Sequence, residues 1–399
     1  MAEATSAARR RLSGSEKIVL ALAAVALATT LAAILALGAR ASRETSSFAP
    51  RAMFPELASK LDAGDFGGLE FATKDARIVV SRTADGKWVL SEKGGYPVAE
   101  GALVGAVATV AGLELVEPKT KNPERHNLLG LVAPDKGGGA RALTLKEKSG
   151  APIASVLVGE EPLHREVGSR RAVYVRKAGE DATFLAYTDL ALETDPSAWI
   201  ATDGLSLARD RVSAVRVTPA EGPAYAVKKG EGEGAAFTLE GLGPEEELSS
   251  AYTLSTMAGA LASPGIEDVA KAATLDFSKA ARLDYETGDG LLVTARVARV
   301  GDAAWLTLDA AAKGDAKDDV KSQAEAMNAR ASGWAYKIAT TKADQMTKAR
   351  ADLVRPKKAE ETPAEEPGID GVQSHSAPGG AEPPLPEGEP LPEPAQEAP

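Results

Sequence analysis

The chain has 399 residues, a formal charge of −11 and no cysteine. The missing thiols exclude disulfides, CxxC redox chemistry, thiolate zinc sites and a lipoprotein anchor. The acidic balance excludes a basic nucleic-acid binder. Residues Pro356 to Pro399 hold 10 acidic residues against 2 lysines and 11 of the 24 prolines, so the charge is mostly a property of that tail.

Residues 1–17 carry Arg9, Arg10, Arg11 and Lys17. The following run, Ile18 to Ala39, is 22 residues without a charge. As a helix it spans roughly 33 Å, enough for a hydrocarbon core of about 30 Å. Only Arg40 and Arg43 follow closely, so the basic excess places the N-terminus in the cytoplasm and the rest outside. The bilayer is thus an expected partner, through Ile18 to Ala39. A cleaved signal peptide is the rival reading, because Ala39-Arg40-Ala41 has a small-x-small pattern. Residues 40–53 read as a linker.

From Phe54 a series of features recurs roughly 150 residues later. The first set is Leu69-Glu70-Phe71, then Ile78 to Arg82, a turn at Asp85-Gly86, and Trp88-Val89-Leu90. The second is Val215-Arg216-Val217, then Tyr225 to Lys229, a Gly-rich turn, and Phe237-Thr238-Leu239. A helix pattern follows each: Leu103, Val107, Val110 and Ala111 in one, Leu254, Met257, Ala258 and Leu261 in the other. The shared order predicts a duplication, with units at 54–210 and 211–355.

The strands alternate polar and apolar residues and come in pairs around turn residues. Arg141 to Lys146 and Ala154 to Val158 flank Lys148-Ser149-Gly150; Ala172 to Arg176 and Thr183 to Tyr187 flank Ala178 to Asp181; Ala281 to Glu286 and Leu291 to Val297 flank Thr287 to Gly290. Hairpins mean antiparallel pairing. The expected class is α+β: two similar units of antiparallel sheet packed with amphipathic helices, preceded by one transmembrane helix and followed by a disordered tail. A charged helix at Lys317 to Ala329, a strand at Trp334 to Ile338 and a helix at Lys342 to Val354 complete the second unit. The Pro/Glu/Ala-rich tail, 356–399, has no periodicity and is expected to remain disordered.

Chemistry-bearing motifs are scarce. The sequence holds no P-loop, GxGxxG, GxSxG or HExxH pattern. His126, His164 and His375 are the three histidines, and the first two read as surface-loop residues. Asp315, Asp318 and Asp319 lack calcium-loop register and suit a helix N-terminus. Trp88, Trp199, Trp305 and Trp334 read as core anchors. Arg165, Arg170, Arg171 and Arg176 form a candidate surface for an anionic ligand or partner; protection of a sheet edge is the alternative. No catalytic residue, cofactor or metal is expected.

Short segments along the chain resemble a bacterial envelope family catalogued as domain of unknown function 4340. They are Phe54-Pro55-Glu56-Leu57, Trp88-Val89-Leu90 with Tyr96-Pro97, Leu115 to Thr120, Leu129-Gly130-Leu131 and Val158-Gly159. Tyr174-Val175-Arg176, Trp199-Ile200, Gly290 to Val293 and Gly333 to Tyr336 continue the set. The resemblance implies an N-terminal membrane segment and an accessory role beside ABC transporter components of the gliding-motility type. A single-pass inner-membrane protein with a periplasmic, non-catalytic ectodomain is the resulting expectation. A periplasmic binding module for an anionic envelope ligand is the second, and an uncharacterised hydrolase the third.

Overall fold

The computed structural model describes residues 48–162, 170–189, 192–232 and 234–357. The Ile18–Ala39 run, the tail beyond Lys357, His164, Arg165 and His375 lie outside the described residues. The first stretch of chain gives β1 (Arg51–Ala52), α1 (Leu57–Asp62), β2 (Phe66–Ala72), β3 (Arg77–Arg82), β4 (Trp88–Leu90) and β5 (Tyr96–Pro97). Then come α2 (Glu100–Ala111), β6 (Glu114–Pro118), β7 (Arg141–Glu147), β8 (Pro152–Val158), β9 (Arg171–Lys177) and β10 (Thr183–Thr188). The second stretch gives β11 (Val212–Thr218), β12 (Tyr225–Lys229), β13 (Phe237–Leu239), β14 (Glu246–Leu248), α3 (Ala251–Ala258), β15 (Ile266–Lys271), β16 (Ala281–Thr287), β17 (Leu291–Val300) and β18 (Ala303–Ala312). It ends with α4 (Asp318–Ala331), β19 (Trp334–Ile338), α5 (Thr340–Met346), α6 (Arg350–Leu353) and β20 (Val354–Pro356).

The class is mixed α and β, with large antiparallel sheets and a few helices. Sheet 1 runs β1-β6-β10-β9-β8-β7-β2-β3-β4-β5, and sheet 2 runs β13-β12-β11-β16-β17-β18-β19-β15. Without the two-residue edges β1 and β5, sheet 1 read from β4 has the strand order of sheet 2, strand for strand. The irregularities correspond as well. The β2–β7 register shifts between Phe66 and Gly68, and the β11–β16 register between Val212 and Ala214. A second shift falls where β10 meets β6, and again where β15 meets β19. Gly67 occupies the first bulge because a Cβ there would lie 2.5 Å from the Lys148 backbone.

Alternation decides the two faces of each sheet. Leu69, Phe71, Ile78 and Val80 point inward from β2 and β3; Val215, Val217, Tyr225 and Val227 do so from β11 and β12. One apolar cluster joins both sheets with α2 and α3. In α2 the buried positions are Leu103, Ala106, Thr109 and Val110, while Ala111 is exposed, contrary to the sequence expectation. Ala111 lies about 80° from Leu103 around the helix and so falls off the packed face. In α3 the expected face is buried, although Leu261 follows the helix end.

The expected helix at Lys342 to Val354 is not continuous. The α5 helix stops after Met346, where the Thr347 hydroxyl donates to Ala343 O at 2.9 Å. The chain then forms α6 and pairs as β20 with β14. Arg350 clamps that pairing, donating to both carboxylate oxygens of Glu246 at 3.0 and 2.6 Å. With a further bond from the Gly243 N–H, the guanidinium holds the Glu246 carboxyl down at about 2. The carboxyl's ordinary value is 4.5, so the ionised pair stabilises the fold above that pH and is lost as pH falls towards 2. Glu246→Gln is expected to remove this part of the acid sensitivity. The urea midpoint of the variant should fall below wild type near pH 6 and approach it only as pH falls to about 2, and the gap should narrow in high salt.

Asn328 solves a different problem. The β18–β19 pairing covers only Ala304 to Leu306, so the rest of that side of β18 has no strand beside it. Asn328 of α4 accepts from the Ala310 N–H at 2.8 Å and donates to the Ala310 carbonyl at 2.7 Å, standing in for a strand. Ala310 is buried. Asn328→Ala therefore orphans two backbone groups and should cost about 1–3 kcal/mol in urea titrations. Asn328→Asp restores only the acceptor and should not rescue it.

Candidate functional site

The two sheets meet along a seam formed by β5, the 196–201 segment, β15 and β19. Asp195 caps the short turn at Pro196–Trp199, accepting from the Ser197 N–H at 2.9 Å. The Ala99 N–H then bonds Trp199 O at 2.8 Å, and Val98 bridges Ile200. Tyr96 and Tyr336 bring their hydroxyl oxygens within 3.3 Å; the former donates to Ala201 O at 2.7 Å and the latter to Arg330 O at 3.2 Å. Burial pushes both phenols up, so they stay protonated as hydrogen-bond donors. Trp334 meets Tyr96 edge to face at 4.9 Å, and Lys271 sits 3.5 Å over the Trp334 ring. Lys93 and Asp268 close the rim at 2.6 Å. A hollow of about 1030 Å³ opens beside the seam between Trp88, Glu100, Asp203 and Arg330.

The predicted arginines do not gather at one surface. Arg165 lies outside the described residues. Alternation sends Arg170 and Arg176 to one face of the β9 region and Arg171 to the other. Arg170 is held by Glu114 at 2.5 Å and Asp189 at 3.1 Å, over the ring of Tyr187. These carboxylates push its guanidinium up. Arg171 pairs with Glu161 at 3.5 Å at a small hollow of about 180 Å³ shared with Arg141 and Thr188. Arg176 donates to the carbonyls of Glu180 and Leu131 at 2.8 and 3.1 Å. The β9 strand sits between β8 and β10, so these side chains do not protect a sheet edge.

His126 is not a surface residue. It is 5% exposed, with Nε2 2.9 Å from the carbonyl of Asp181, which ties the 123–129 turn to the β9–β10 hairpin. Asp318 and Asp319 open α4, where the helix dipole favours them. Trp199 and Trp334 are buried, whereas Trp88 and Trp305 are half-buried. Among the described residues no group of three His, Cys, Asp or Glu side chains is placed to hold a metal ion. Among them no helix is long and apolar enough to cross a membrane.

The sequence profile described as "Domain of unknown function (DUF4340)" matches residues 88–285. Residues 88–285 belong to this family. The DUF4340 match starts in β4, crosses the seam and ends in β16, so it takes in parts of both sheets. No curated protein and no solved structure matches the chain.

Proposed function

We propose that this DUF4340 protein is a membrane-tethered, non-catalytic accessory subunit whose ectodomain is a scaffold of two duplicated units. One observation carries the reading: the buried phenols and imidazole, and an arginine beside β9, are spent on internal partners. Tyr96, Tyr336, His126 and Arg170 each hold one part of the chain to another. The common strand order and the matching bulges support the duplication. The uncharged run Ile18 to Ala39 supports the tether, with the N-terminus cytoplasmic and the sheets periplasmic. The family resemblance supports ABC transporter membrane subunits as partners.

Two experiments test this. Gentle crosslinking in intact membranes, followed by solubilisation and purification, should co-isolate transporter subunits; recovery of the chain alone would count against an accessory role. Because the native chain has no cysteine, single-cysteine variants give a clean topology readout. Ser278→Cys, on an exposed connection, should react with a membrane-impermeant maleimide once the outer membrane is permeabilised. Ser6→Cys should react only after the inner membrane is opened. Equal labelling of both from one side would overturn the topology.

A further inference from the structure

The outward faces of the two sheets are finished differently. In sheet 1 the 22 residues between β6 and β7, 119–140, fold over the face. Leu131 and Ala140 of that cover pack on Leu157, Ala142 and Tyr174, forming a small separate core. In sheet 2 the matching β15–β16 connection has only 9 residues, 272–280, and the face stays open.

Register identifies the residues at matching places. Leu143 pairs with Phe71 and Val156; Leu283 pairs with Val217 and Ala295. One step along, the covered cross-strand pair Ala142–Leu157 of sheet 1 corresponds to the cross-strand pair Arg282–Arg296 of sheet 2. Likewise Glu70 corresponds to Arg216. Glu70 is bracketed by Lys146 and Arg77 at 2.7 and 2.8 Å. Among the described residues neither Arg216 nor Arg296 has an ion pair, and both are exposed.

Two like charges directly opposite on a sheet oppose folding. Arg282 is partly relieved by Asp284, at 2.9 Å, but Arg296 is not. These side chains line a trough rather than a flat face. One part, of about 730 Å³, is bounded by Phe277, Arg282, Thr294, Arg296, Thr307 and Ser332. The adjoining part, of about 570 Å³, shares Arg282, Thr294 and Asp309 and adds Arg216, Lys228, Asp284 and Glu286.

We infer that this trough is a binding site for an acidic oligosaccharide, with a carboxylate seated between Arg282 and Arg296. Paired guanidinium forks suit planar carboxylates. Thr307 and Ser332 offer hydroxyls to a sugar, and the half-buried Phe277 offers a ring at the wall. An acidic peptide fits less well. The floor is a sheet face whose backbone groups are already paired, so it offers no strand addition. This site is separate from the arginines of the β9 region and does not depend on the accessory role.

The test uses the full-length chain in a non-ionic detergent, titrated calorimetrically with tetragalacturonate, cellotetraose or tetraglutamate. Tetragalacturonate should bind with a Kd at or below about 1 mM, and cellotetraose should not. Arg296→Ala should weaken binding by at least about tenfold. Its thermal midpoint should be unchanged or raised, because like-charge repulsion is relieved. Arg171→Ala should bind as wild type. The inference is overturned by absent binding of the wild type, by unchanged affinity in Arg296→Ala, or by tetraglutamate binding as tightly as the saccharide. The last outcome would assign the trough to an acidic peptide.

Discussion

Trp199→Ala should destabilise the fold by about 3–5 kcal/mol, a large effect for a single substitution. Trp199 is fully buried and stacks on Phe71 with ring centroids 5.9 Å apart. It lies in the segment whose backbone is sewn to Val98 and Ala99, so its removal opens a void at the seam. Among the described residues its indole N–H finds no hydrogen-bond partner. That donor already opposes folding, by about 1–3 kcal/mol on the usual scale for a buried unpaired group. Trp199→Phe keeps a ring against Phe71 and removes the orphan donor. Its loss should therefore be well below that of Trp199→Ala. Equal losses in urea titrations would show that neither the stack nor the orphan donor has the part assigned to it.

Tyr96→Ala should have a comparable effect, about 3–5 kcal/mol, and should also uncouple the sheets. Tyr96 belongs to sheet 1, yet its ring touches Trp334 and Tyr336 of sheet 2. Wild type is expected to unfold in one transition, because a single apolar cluster runs through both sheets. In Tyr96→Ala the hydrogen exchange of β7–β8 amides and of β17–β18 amides should give distinct midpoints. Tyr96→Phe keeps the packing and leaves the Ala201 carbonyl without its hydroxyl donor, so it should cost only about 1–3 kcal/mol. Coincident midpoints in Tyr96→Ala, with little stability lost, would mean that the seam is held elsewhere.

Much of sheet 2 was legible in residues alone. The turn Thr287 to Gly290 places Glu286 opposite Leu292, and counting back along both strands sets Arg282 opposite Arg296. The hairpin around Gly150, which takes φ +89°, was legible for the same reason. The arginine pair is nevertheless less conspicuous in the sequence than Arg165 to Arg176, where four charges stand close in the chain. Density along the chain is a poor guide in a strand, because neighbours point to opposite faces. The helix expected at Lys342 to Val354 failed for a non-local reason: β20 is drawn away to pair with β14, and Arg350 finds Glu246.

By itself the sequence determined the hairpins, the alternating faces, the repeated order of elements and the family. These follow from turn chemistry and from side-chain periods of two or about 3.6 residues, which act over a few neighbours. Only the tertiary structure decided that His126 is buried, that Arg170 and Arg176 have internal partners and that the sheets share a seam. It also decided which sheet face is left open. Those outcomes depend on contacts between distant segments, such as Tyr96 with Tyr336, or on whether a loop elsewhere is long enough to cover a strand. The cross-strand arginines could be paired by counting; their exposure in a trough required the fold.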